Sequence, residues 1–365
     1  MFSIALLIGV LAVATTAGPA MAAPFVYAAN ADSNDVTVID AATNTVVTTL
    51  TVGSEPRNPA VSPNGARVYV PNRHSDTVSV IDGVANMVLT TISDDDFDEP
   101  YSAAVHPNGT RVYIANKEGG GSSSGSLSVI NATDNTVLTT IDDACFVSPE
   151  WVIVNPAGTF AYVVNRQGDS VCVVDTSTNT VVDSVGVGSE PRSAVVTCDN
   201  AFLYVANNSS GDVTKVRTSD NTVVDTISTG GAPRNLAITP DCAKIYVPLQ
   251  NADVAVIDTA TDMATTIPIP GGDQTYGAAV IQSGTFVYVT DEDDNEVEVI
   301  EVATDTVLSG AGLPIPAGST PRGIATANAV SSRAPAPTAS QAGLAALAAA
   351  LLALGIHRRR GARLG

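Results

Sequence analysis

A tyrosine recurs at a nearly constant interval along most of this chain of 365 residues. The interval is 42 residues four times, 44 once and 49 once, and the tyrosines are Tyr27, Tyr69, Tyr113, Tyr162, Tyr204, Tyr246 and Tyr288. Periods of 20 to 50 residues are typical of repeat architectures, in which each unit buries its apolar faces only against neighbouring units. The period therefore predicts seven similar units.

Each unit carries the pattern of four short strands. In the first unit, one strand runs through Tyr27, a second covers 36–40 and a third covers 46–52. A Gly-Ser-Glu-Pro corner at 53–56 then leads to a strand at 58–62. Val and Thr, which favour strands, fill these segments, and Asn, Asp, Gly and Pro, which favour turns, separate them. Four antiparallel strands per unit are the composition of a propeller blade, so the sequence predicts an all-β, seven-bladed β-propeller.

The register of the repeats predicts how the ring closes. The chain enters the repeats at 25–27, which matches the second strand of a unit, and leaves at 322–326, which matches the first, innermost strand. The C-terminal strand should therefore complete the N-terminal blade, and closure removes sheet edges that would otherwise invite aggregation. The extra length of the longest unit falls mainly in a Gly/Ser segment at 119–125, where a loop can absorb it.

The N-terminus differs from the repeats and indicates export. Residues 2–13 are nearly all apolar, and Ala-Met-Ala at 20–22 offers a small-residue cleavage site. This pattern predicts a signal peptide over residues 1–22, followed by the propeller over 23–330.

The C-terminus carries a second segment with a targeting pattern. A Pro/Ala/Ser/Thr linker covers 331–341, and the tail, 342–365, contains an apolar run that ends in His357–Arg360. The basic cluster should stay in the cytoplasm while the body lies outside. With Pro337–Gln341 ahead of the run, the tail resembles bacterial C-terminal sorting tails of the PEP and IPTL type. The resemblance implies anchoring before processing by a sorting protease of the exosortase kind, and a periplasmic, extracellular or cell-surface location.

The repeats themselves resemble a known family. The segments that carry the resemblance are Tyr204–Asn207, 171–175, Thr178–Val181 and Ser62–Gly65, and it extends over about 25–327. They are similar to the YVTN β-propeller repeats, which are related to WD40-like repeats. The resemblance implies an exported or surface protein of bacterial or archaeal type, with no particular chemistry.

The charge balance limits the partners. The chain has 37 acidic and 17 basic residues, a formal net charge of −20 and an isoelectric point near 4.2. Such a surface repels nucleic acid and anionic lipid, so we expect membrane contact only through the tail. The expected partner is an unidentified protein or a small anionic ligand.

A ring of candidate ligand-binding residues follows from the register. Counting back twelve residues from each tyrosine after the first, and adding the closing strand, gives Arg57, Tyr101, Glu150, Arg192, Arg234, Tyr276 and Arg322. All should begin innermost strands and surround one mouth of the central channel. Four guanidinium groups could hold a carboxylate, a phosphate or an acidic sugar by forked hydrogen bonds. The alternative is that each Arg bonds acids or carbonyls of the adjacent blade and only locks the ring.

Four cysteines allow three disulfide pairings, and export makes disulfides the default. Cys198 and Cys242 occupy equivalent turns of adjacent blades, on one face. Cys145 and Cys172 should both lie on the opposite face. The register therefore predicts the pairs Cys145–Cys172 and Cys198–Cys242.

Catalytic and metal-binding patterns are weak. His74 ends a strand near the expected mouth, His106 lies in a turn and His357 lies in the tail, with no base–nucleophile arrangement. The acidic runs at 94–99 and 291–296 lack the glycine-hinged loop of a dedicated calcium site. We therefore expect no catalytic residue, no metal and no cofactor.

The leading hypothesis is an exported, cell-envelope β-propeller that acts as a non-enzymatic binding or interaction scaffold. A propeller hydrolase of the lactonase type is one alternative, with the arginines, Glu150 and His74 at the mouth as its candidates. A structural surface-coat protein, which would bind itself, is another.

Overall fold

The computed structural model describes residues 24–118, 125–272 and 274–327, which contain strands and turns but no helix. These ranges accordingly hold no helix of the length and apolarity that a membrane crossing requires. The predicted signal peptide, the linker and the C-terminal tail lie outside the described residues. Asp273 and most of the Gly/Ser segment, at 119–124, also lie outside them.

Seven antiparallel sheets form, one for each repeat. The strands are numbered in chain order, and each blade is given from its innermost strand outward. The first four blades are blade 1, β29 (Pro321–Thr326), β1 (Phe25–Asn30), β2 (Asp35–Asp40) and β3 (Thr45–Thr51); blade 2, β4 (Ala60–Val61), β5 (Arg67–Asn72), β6 (Thr77–Asp82) and β7 (Met87–Ser93); blade 3, β8 (Pro100–Val105), β9 (Arg111–Asn116), β10 (Ser126–Asn131) and β11 (Thr136–Asp142); and blade 4, β12 (Pro149–Val154), β13 (Phe160–Asn165), β14 (Ser170–Asp175) and β15 (Thr180–Gly186). The other three are blade 5, β16 (Pro191–Val196), β17 (Phe202–Asn207), β18 (Asp212–Arg217) and β19 (Thr222–Ser228); blade 6, β20 (Ala237–Ile238), β21 (Lys244–Pro248), β22 (Asp253–Asp258) and β23 (Met263–Pro268); and blade 7, β24 (Thr275–Val280), β25 (Phe286–Asp291), β26 (Glu296–Glu301) and β27 (Thr306–Val307), with β28 (Ile315–Pro316) also on β26. The seven-bladed propeller predicted from the tyrosine period is confirmed.

Blade 1 joins the two ends of the folded region. The innermost strand β29 pairs antiparallel with β1, and Tyr27 lies opposite Ala325. A Cβ on Gly323 would lie 2.6 Å from the carbonyl oxygen of Arg57, so only glycine allows β29 to approach blade 2 this closely. The C-terminal strand therefore completes the N-terminal blade, as the register predicts.

Burial follows the position of a strand within its blade. In β1 and β2 the interior residues are all buried, because both faces of these strands pack against neighbouring blades. The outermost strand β3 is Thr- and Val-rich and largely exposed. The register between β2 and β3 shifts after Val38, a bulge that twists the edge and makes it a poorer template for pairing with another chain.

The innermost strand of blade 2 is shorter than the segment 58–62 predicted for it. The structure has only Ala60–Val61 in the strand. Asn58, two residues before this strand, instead pairs in parallel with Ser102 of blade 3. Its backbone N–H donates to the carbonyl oxygen of Tyr101 at 3.2 Å. The chain at Asn58 therefore links two blades.

The repeated tyrosines connect consecutive blades. All seven are buried, and several hydroxyls reach the outer turn of the following blade. Tyr27 donates to Asn86 at 2.7 Å, Tyr204 donates to Asp262 at 2.9 Å, and Tyr288 of blade 7 donates to an acceptor in blade 1. The period of the sequence is therefore the period of the contact between blades.

The asparagines that end the second strands lie toward the mouth, but their amides turn into the blade. Asn30 donates to the Thr37 hydroxyl at 2.9 Å, and Asn207 donates to that of Thr214 at 2.7 Å. Both asparagines are fully buried. They hold the second and third strands of a blade together and do not present a binding group.

The two disulfides are Cys145–Cys172 and Cys198–Cys242, the pairs that the register predicts. The first links the end of blade 3 to blade 4, and the second links turns of blades 5 and 6. Each therefore joins neighbouring blades.

Candidate functional site

The seven residues predicted to surround the mouth lie together, because each begins or immediately precedes an innermost strand. Arg57 is 2% exposed and Glu150 is 1% exposed, and Tyr101 and Tyr276 are buried as well. The guanidinium of Arg57 lies 5.2 Å from the ring centre of Tyr101, and that of Arg234 lies 4.9 Å from the ring centre of Tyr276. Cations at this distance are attracted to the face of an aromatic ring.

Two tyrosines meet across the channel among these arginines. The hydroxyls of Tyr101 in blade 3 and Tyr276 in blade 7 lie 3.3 Å apart. A cavity lined by Trp151, Arg192 and Asn235, among others, has a volume of only about 10 Å³, which is room for about one water molecule. The residues that surround this tyrosine pair form the cup of the mouth, and the contact between the two hydroxyls forms its floor.

A second ring of side chains, which sequence reasoning missed, surrounds the same cup. Each member is the residue immediately after the strand-end position of a blade's second strand. The members are Ala31, Arg73, Lys117, Arg166, Asn208, Gln250 and Glu292. They lie four residues after each repeated tyrosine, so the register could have identified them. Blades 2, 3 and 4 each contribute a cation from this ring.

Positive charge is concentrated at the mouth. Of the twelve Lys and Arg residues in the described ranges, seven belong to the two rings: Arg57, Arg73, Lys117, Arg166, Arg192, Arg234 and Arg322. Five glutamates lie within 4.0 Å of these cations: Glu55, Glu99, Glu150, Glu190 and Glu292. The cup therefore carries two more cations than paired carboxylates, in a chain whose formal net charge is −20.

Glu150 is held by cations from three blades. Its carboxylate oxygens lie 3.4 Å from Lys117 Nζ, 3.4 Å from Arg166 Nη1 and 3.4 Å from Arg192 Nη1. A buried carboxylate is tolerated only with such partners, because removing an ion from water costs several kcal/mol. Glu150 therefore fixes the surrounding cations.

Glu55 is the centre of a second group. One of its oxygens pairs with Arg57 and lies 3.3 Å from Arg73 and 3.9 Å from Arg322. Its other oxygen lies 2.7 Å from Nε2 of His74. Of the hydrolase candidates, His74 thus pairs with Glu55, whereas Glu150 lies in a different ion-pair group.

Glu292 connects the remaining arginines. It accepts a hydrogen bond from Nε of Arg322 at 2.8 Å and lies 4.0 Å from Nη1 of Arg234. Arg234 also donates to the side-chain oxygen of Gln274 at 3.1 Å. The arginines therefore do lock neighbouring blades, as the structural alternative predicts.

These locks do not use all of the guanidinium donors. Five buried N–H groups have no hydrogen-bond partner among the described residues: Arg57 Nε and Nη1, Arg166 Nε, Arg192 Nε and Arg234 Nε. Buried donors are normally satisfied by protein, water or an ion. A purely structural role leaves these five unexplained.

The two tyrosines differ in acidity. Burial raises the pKa of the Tyr276 hydroxyl, but the guanidinium groups of Arg57 and Arg192 outweigh burial and leave that pKa below its usual value. Burial raises the pKa of Tyr101, and the neighbouring Tyr276 and Glu150 raise it further. The Tyr101 hydroxyl therefore holds its proton more strongly than the Tyr276 hydroxyl does.

Other candidate sites are poorer. In the described ranges, no group of three or more His, Cys, Asp or Glu side chains could hold a metal ion. A cavity of about 330 Å³ lies on the opposite face, between the inner turns of blades 2 and 3. Arg67, the charged residue among those lining it, already lies 3.4 Å from Asp82.

The fold and the mouth define a closed seven-bladed β-propeller with a cationic cup at one end of its channel. The chain belongs to the YNCE-like β-propeller family, whose model matches residues 4–332. No curated protein matches the sequence.

Three solved structures share the fold. Hydrazine synthase from Kuenenia stuttgartiensis superposes with a TM-score of 0.67 at 22% identity, covering 81% of this chain and all of that one. A protein of unknown function from Desulfotomaculum acetoxidans DSM 771 gives 0.70 at 14% identity, covering 83% and 99%. The dihydro-heme d1 dehydrogenase NirN, in complex with DHE, gives 0.61 at 14% identity, covering 84% and 75%. At these identities the similarity shows the fold alone.

Proposed function

We propose that this protein is an exported β-propeller of the cell envelope that binds a small anion at the mouth of its channel, without catalysing a reaction. The observation that carries the proposal is the surplus of two cations over paired carboxylates in the cup. An anion at the mouth would pair with the partly exposed side chains of Arg192 and Arg234, and charge-assisted hydrogen bonds are about twice as strong as neutral ones.

The charge distribution favours a small ligand over a polyanion. The cup concentrates seven of the twelve described cations, while the rest of the body is strongly acidic. A potential of this shape attracts a small anion to the mouth and repels a nucleic acid from the surrounding surface. The shallow floor formed by Tyr101 and Tyr276 also limits the depth to which a ligand can enter.

Export is part of the same proposal. Two disulfides between blades fit an oxidising compartment. The apolar segment at 2–13 would direct secretion, and the tail at 342–365 would anchor the protein until a sorting protease removes it.

The test is an anion titration of the full chain at low ionic strength, with the tryptophan as reporter. Trp151, the one tryptophan of the sequence, follows Glu150 and lines the cavity beneath the cup together with Arg192. Binding of citrate or phosphate should change its fluorescence, and Arg192→Met combined with Arg234→Met should abolish the change.

Arg217→Met is the matched control, because Arg217 is exposed and contacts Asp220 and Thr222 of its own turn, away from the cup. It should bind like the wild type. Melting temperatures of all variants separate binding from folding. If no anion binds the wild type at millimolar concentration, or if the double variant loses stability in parallel with binding, the proposal is wrong.

A hydrolase is the second candidate, favoured by the contact between His74 and Glu55. A carboxylate oxygen of Glu55 lies 2.7 Å from Nε2 without hydrogen-bond geometry, and the imidazole ring is 59% exposed, so it could act as a general base. In that case, hydrolysis of a sugar lactone should be lost in His74→Ala. The same activity should survive Glu150→Gln, because Glu150 is committed to three cations.

A further inference from the structure

Blade 7 departs from the hydrogen-bonding pattern of blade 5 where its second and third strands meet. In blade 5, the strand-end amide of Asn207 donates to Asp212 and to Thr214, each at 2.7 Å. The same three positions of blade 7 hold acids, which are Asp291, Glu296 and Glu298. A carboxylate has no hydrogen to donate, so the contact that joins the two strands in blade 5 cannot form in blade 7 while these groups are ionised.

Two of these acids are buried without a compensating donor. Asp291 is fully buried, and its Oδ2 has no hydrogen-bond partner among the described residues. A Cβ on Gly272 would lie 2.6 Å from that oxygen, so the chain at Gly272 covers it. Glu298 is 3% exposed. Removing an ion from water without partners costs several kcal/mol, so burial favours the protonated form of these groups.

The surroundings of Glu298 supply no positive charge. Glu298 lies directly opposite Val289, on the face that packs against apolar side chains of blade 6. Those side chains include Val254, Ile267 and Ile269. Among the described residues, no Lys, Arg or His forms an ion pair with the three acids, and Arg322 at this end of blade 7 donates to Glu292 instead, at 2.8 Å. A charge on Glu298 is therefore met only by apolar groups and by other carboxyls.

The acids also act on one another. Burial, followed by the carboxyls of Glu296, Asp291 and Asp294, raises the pKa of Glu298 to about 7. Burial likewise raises the pKa of Asp291 and of Glu296, and the carboxylate of Asp294 adds to both increases. When Glu298 releases its proton to water, a further negative charge appears among these acids.

The turn between the two strands is bonded to the segment that closes the ring. The carbonyl oxygen of Asn295 accepts from the backbone N–H of Ala317 at 2.9 Å, and its side-chain oxygen accepts from that of Thr320 at 2.7 Å. Thr320 directly precedes β29. Because Asn295 is also the residue before Glu296, a separation of β25 from β26 at Glu296 would disturb both bonds.

We propose that Asp291, Glu296 and Glu298 form a pH-sensitive switch that controls local opening of blade 7. Below neutral pH, protonation keeps β25 and β26 together and holds Asn295 against the segment before β29. Above neutral pH, the ionised acids repel one another, and the turn at 292–295 opens together with its bonds to residues 317–320. The pairing of β29 with β1 lies outside this region, so the ring remains closed.

The experiment is hydrogen–deuterium exchange of the full chain at pH 5 and pH 8, measured on peptides by mass spectrometry and corrected for the intrinsic rate at each pH. The segment 286–301 of blade 7 is compared with its equivalent in blade 5, 202–217, where the neutral contact between Asn207 and Thr214 is present. Relative to 202–217, protection of 286–301 should fall by about 10-fold or more from pH 5 to pH 8. Protection of 317–320 should fall with it.

The combined variant Asp291→Asn, Glu298→Thr restores the blade 5 residues, and its segment 286–301 should stay protected at pH 8. Glu298→Gln keeps the length of the side chain without its charge and should also reduce the fall, so it provides the test if the combined variant does not fold. Glu301→Gln is the matched control, because Glu301 lies at the other end of β26 and accepts from Thr304. It should behave like the wild type.

Three outcomes would overturn the proposal. They are equal protection of the wild-type segment 286–301 at both pH values, a loss at pH 8 that 202–217 shares equally, and an unchanged loss in the folded variants of Glu298.

Discussion

Tyr101 and Tyr276 are 175 residues apart in the chain, yet their hydroxyls lie 3.3 Å from each other across the channel. One of the pair is held in its protonated form and the other lies among arginines that stabilise its anion. The contact forms the floor of the cup. The opposite shifts of the two hydroxyl pKa values can be measured.

The first prediction concerns the ionisation of Tyr276. Because Arg57 and Arg192 leave the pKa of its hydroxyl below the usual value, one of the nine tyrosines should ionise before the rest. The repeated tyrosines should ionise later, since burial raises the pKa of Tyr27 and its equivalents. Ultraviolet absorbance during a pH titration would show an early step, and Tyr276→Phe should remove it. A wild type without any early step contradicts the assignment.

The second prediction concerns a buried acid in blade 7. Burial raises the pKa of Glu298 to about 7 from 4.5, and the carboxylates of Glu296, Asp291 and Asp294 contribute to the increase. The folded state therefore binds more protons than the unfolded state between about pH 4.5 and 7, so this residue's contribution to stability falls as the pH rises through that range. Glu298→Gln should remove the dependence and raise the free energy of unfolding at pH 8 by about 1–3 kcal/mol.

Urea unfolding of the wild type and of Glu298→Gln at pH 5 and pH 8 measures this effect. The wild type should lose stability relative to the variant on going from pH 5 to pH 8. An identical difference between the two proteins at both pH values would show that Glu298 keeps an ordinary pKa in the folded state.

The third prediction concerns a buried lysine between blades 5 and 6. Lys215 is 8% exposed, and its Nζ lies 2.6 Å from a carboxylate oxygen of Asp262. Asp262→Asn should destabilise the protein by about 3 kcal/mol, because it leaves a buried cation without a charged partner while keeping an acceptor for Tyr204 and a residue that tolerates the left-handed backbone. The equivalent positions of other blades hold valine, as at Val80 and Val256. The double variant Lys215→Val, Asp262→Asn should therefore recover most of the loss in thermal melting, and a loss equal to that of the single variant would contradict this account.

The fourth prediction concerns the disulfide between blades 5 and 6. Cys198–Cys242 closes a sequence separation of 44 residues. Replacing both cysteines by serine should lower the free energy of unfolding by about 2–4 kcal/mol, mainly because the unfolded chain gains freedom. Denaturant unfolding would measure the loss. Reduction of the wild type with dithiothreitol, which also opens Cys145–Cys172, should cost more than this double variant does.

The fold could be predicted because the residues that mark each blade recur at a nearly constant interval along the sequence. The position of Tyr27 and its equivalents sets the strand order, the number of blades and the pairing of β29 with β1. The same register places Arg57 and the other ring residues at one mouth. Counting forward four residues would also have located Arg73, Lys117 and Arg166, so that ring was missed by omission and not for want of a signal.

The organisation within the cup could not be predicted in this way. The register places Tyr101 and Tyr276 on one ring but does not give the width of the channel, which decides whether their hydroxyls meet. It likewise does not show that Glu150 attracts cations from three blades while Glu55 takes His74. Such contacts depend on side-chain rotamers and on the distances between blades, and neither repeats along the chain.

The pairing of β29 with β1 has a consequence for the order of events during biosynthesis. The last strand of the repeats supplies the innermost strand of the first blade, so blade 1 waits as three strands until residues 321–326 have been synthesised. A nascent chain stopped before that point lacks the innermost strand of blade 1, so the channel wall is open at that blade. A cut in the tail beyond residue 327, by contrast, removes no strand of the ring.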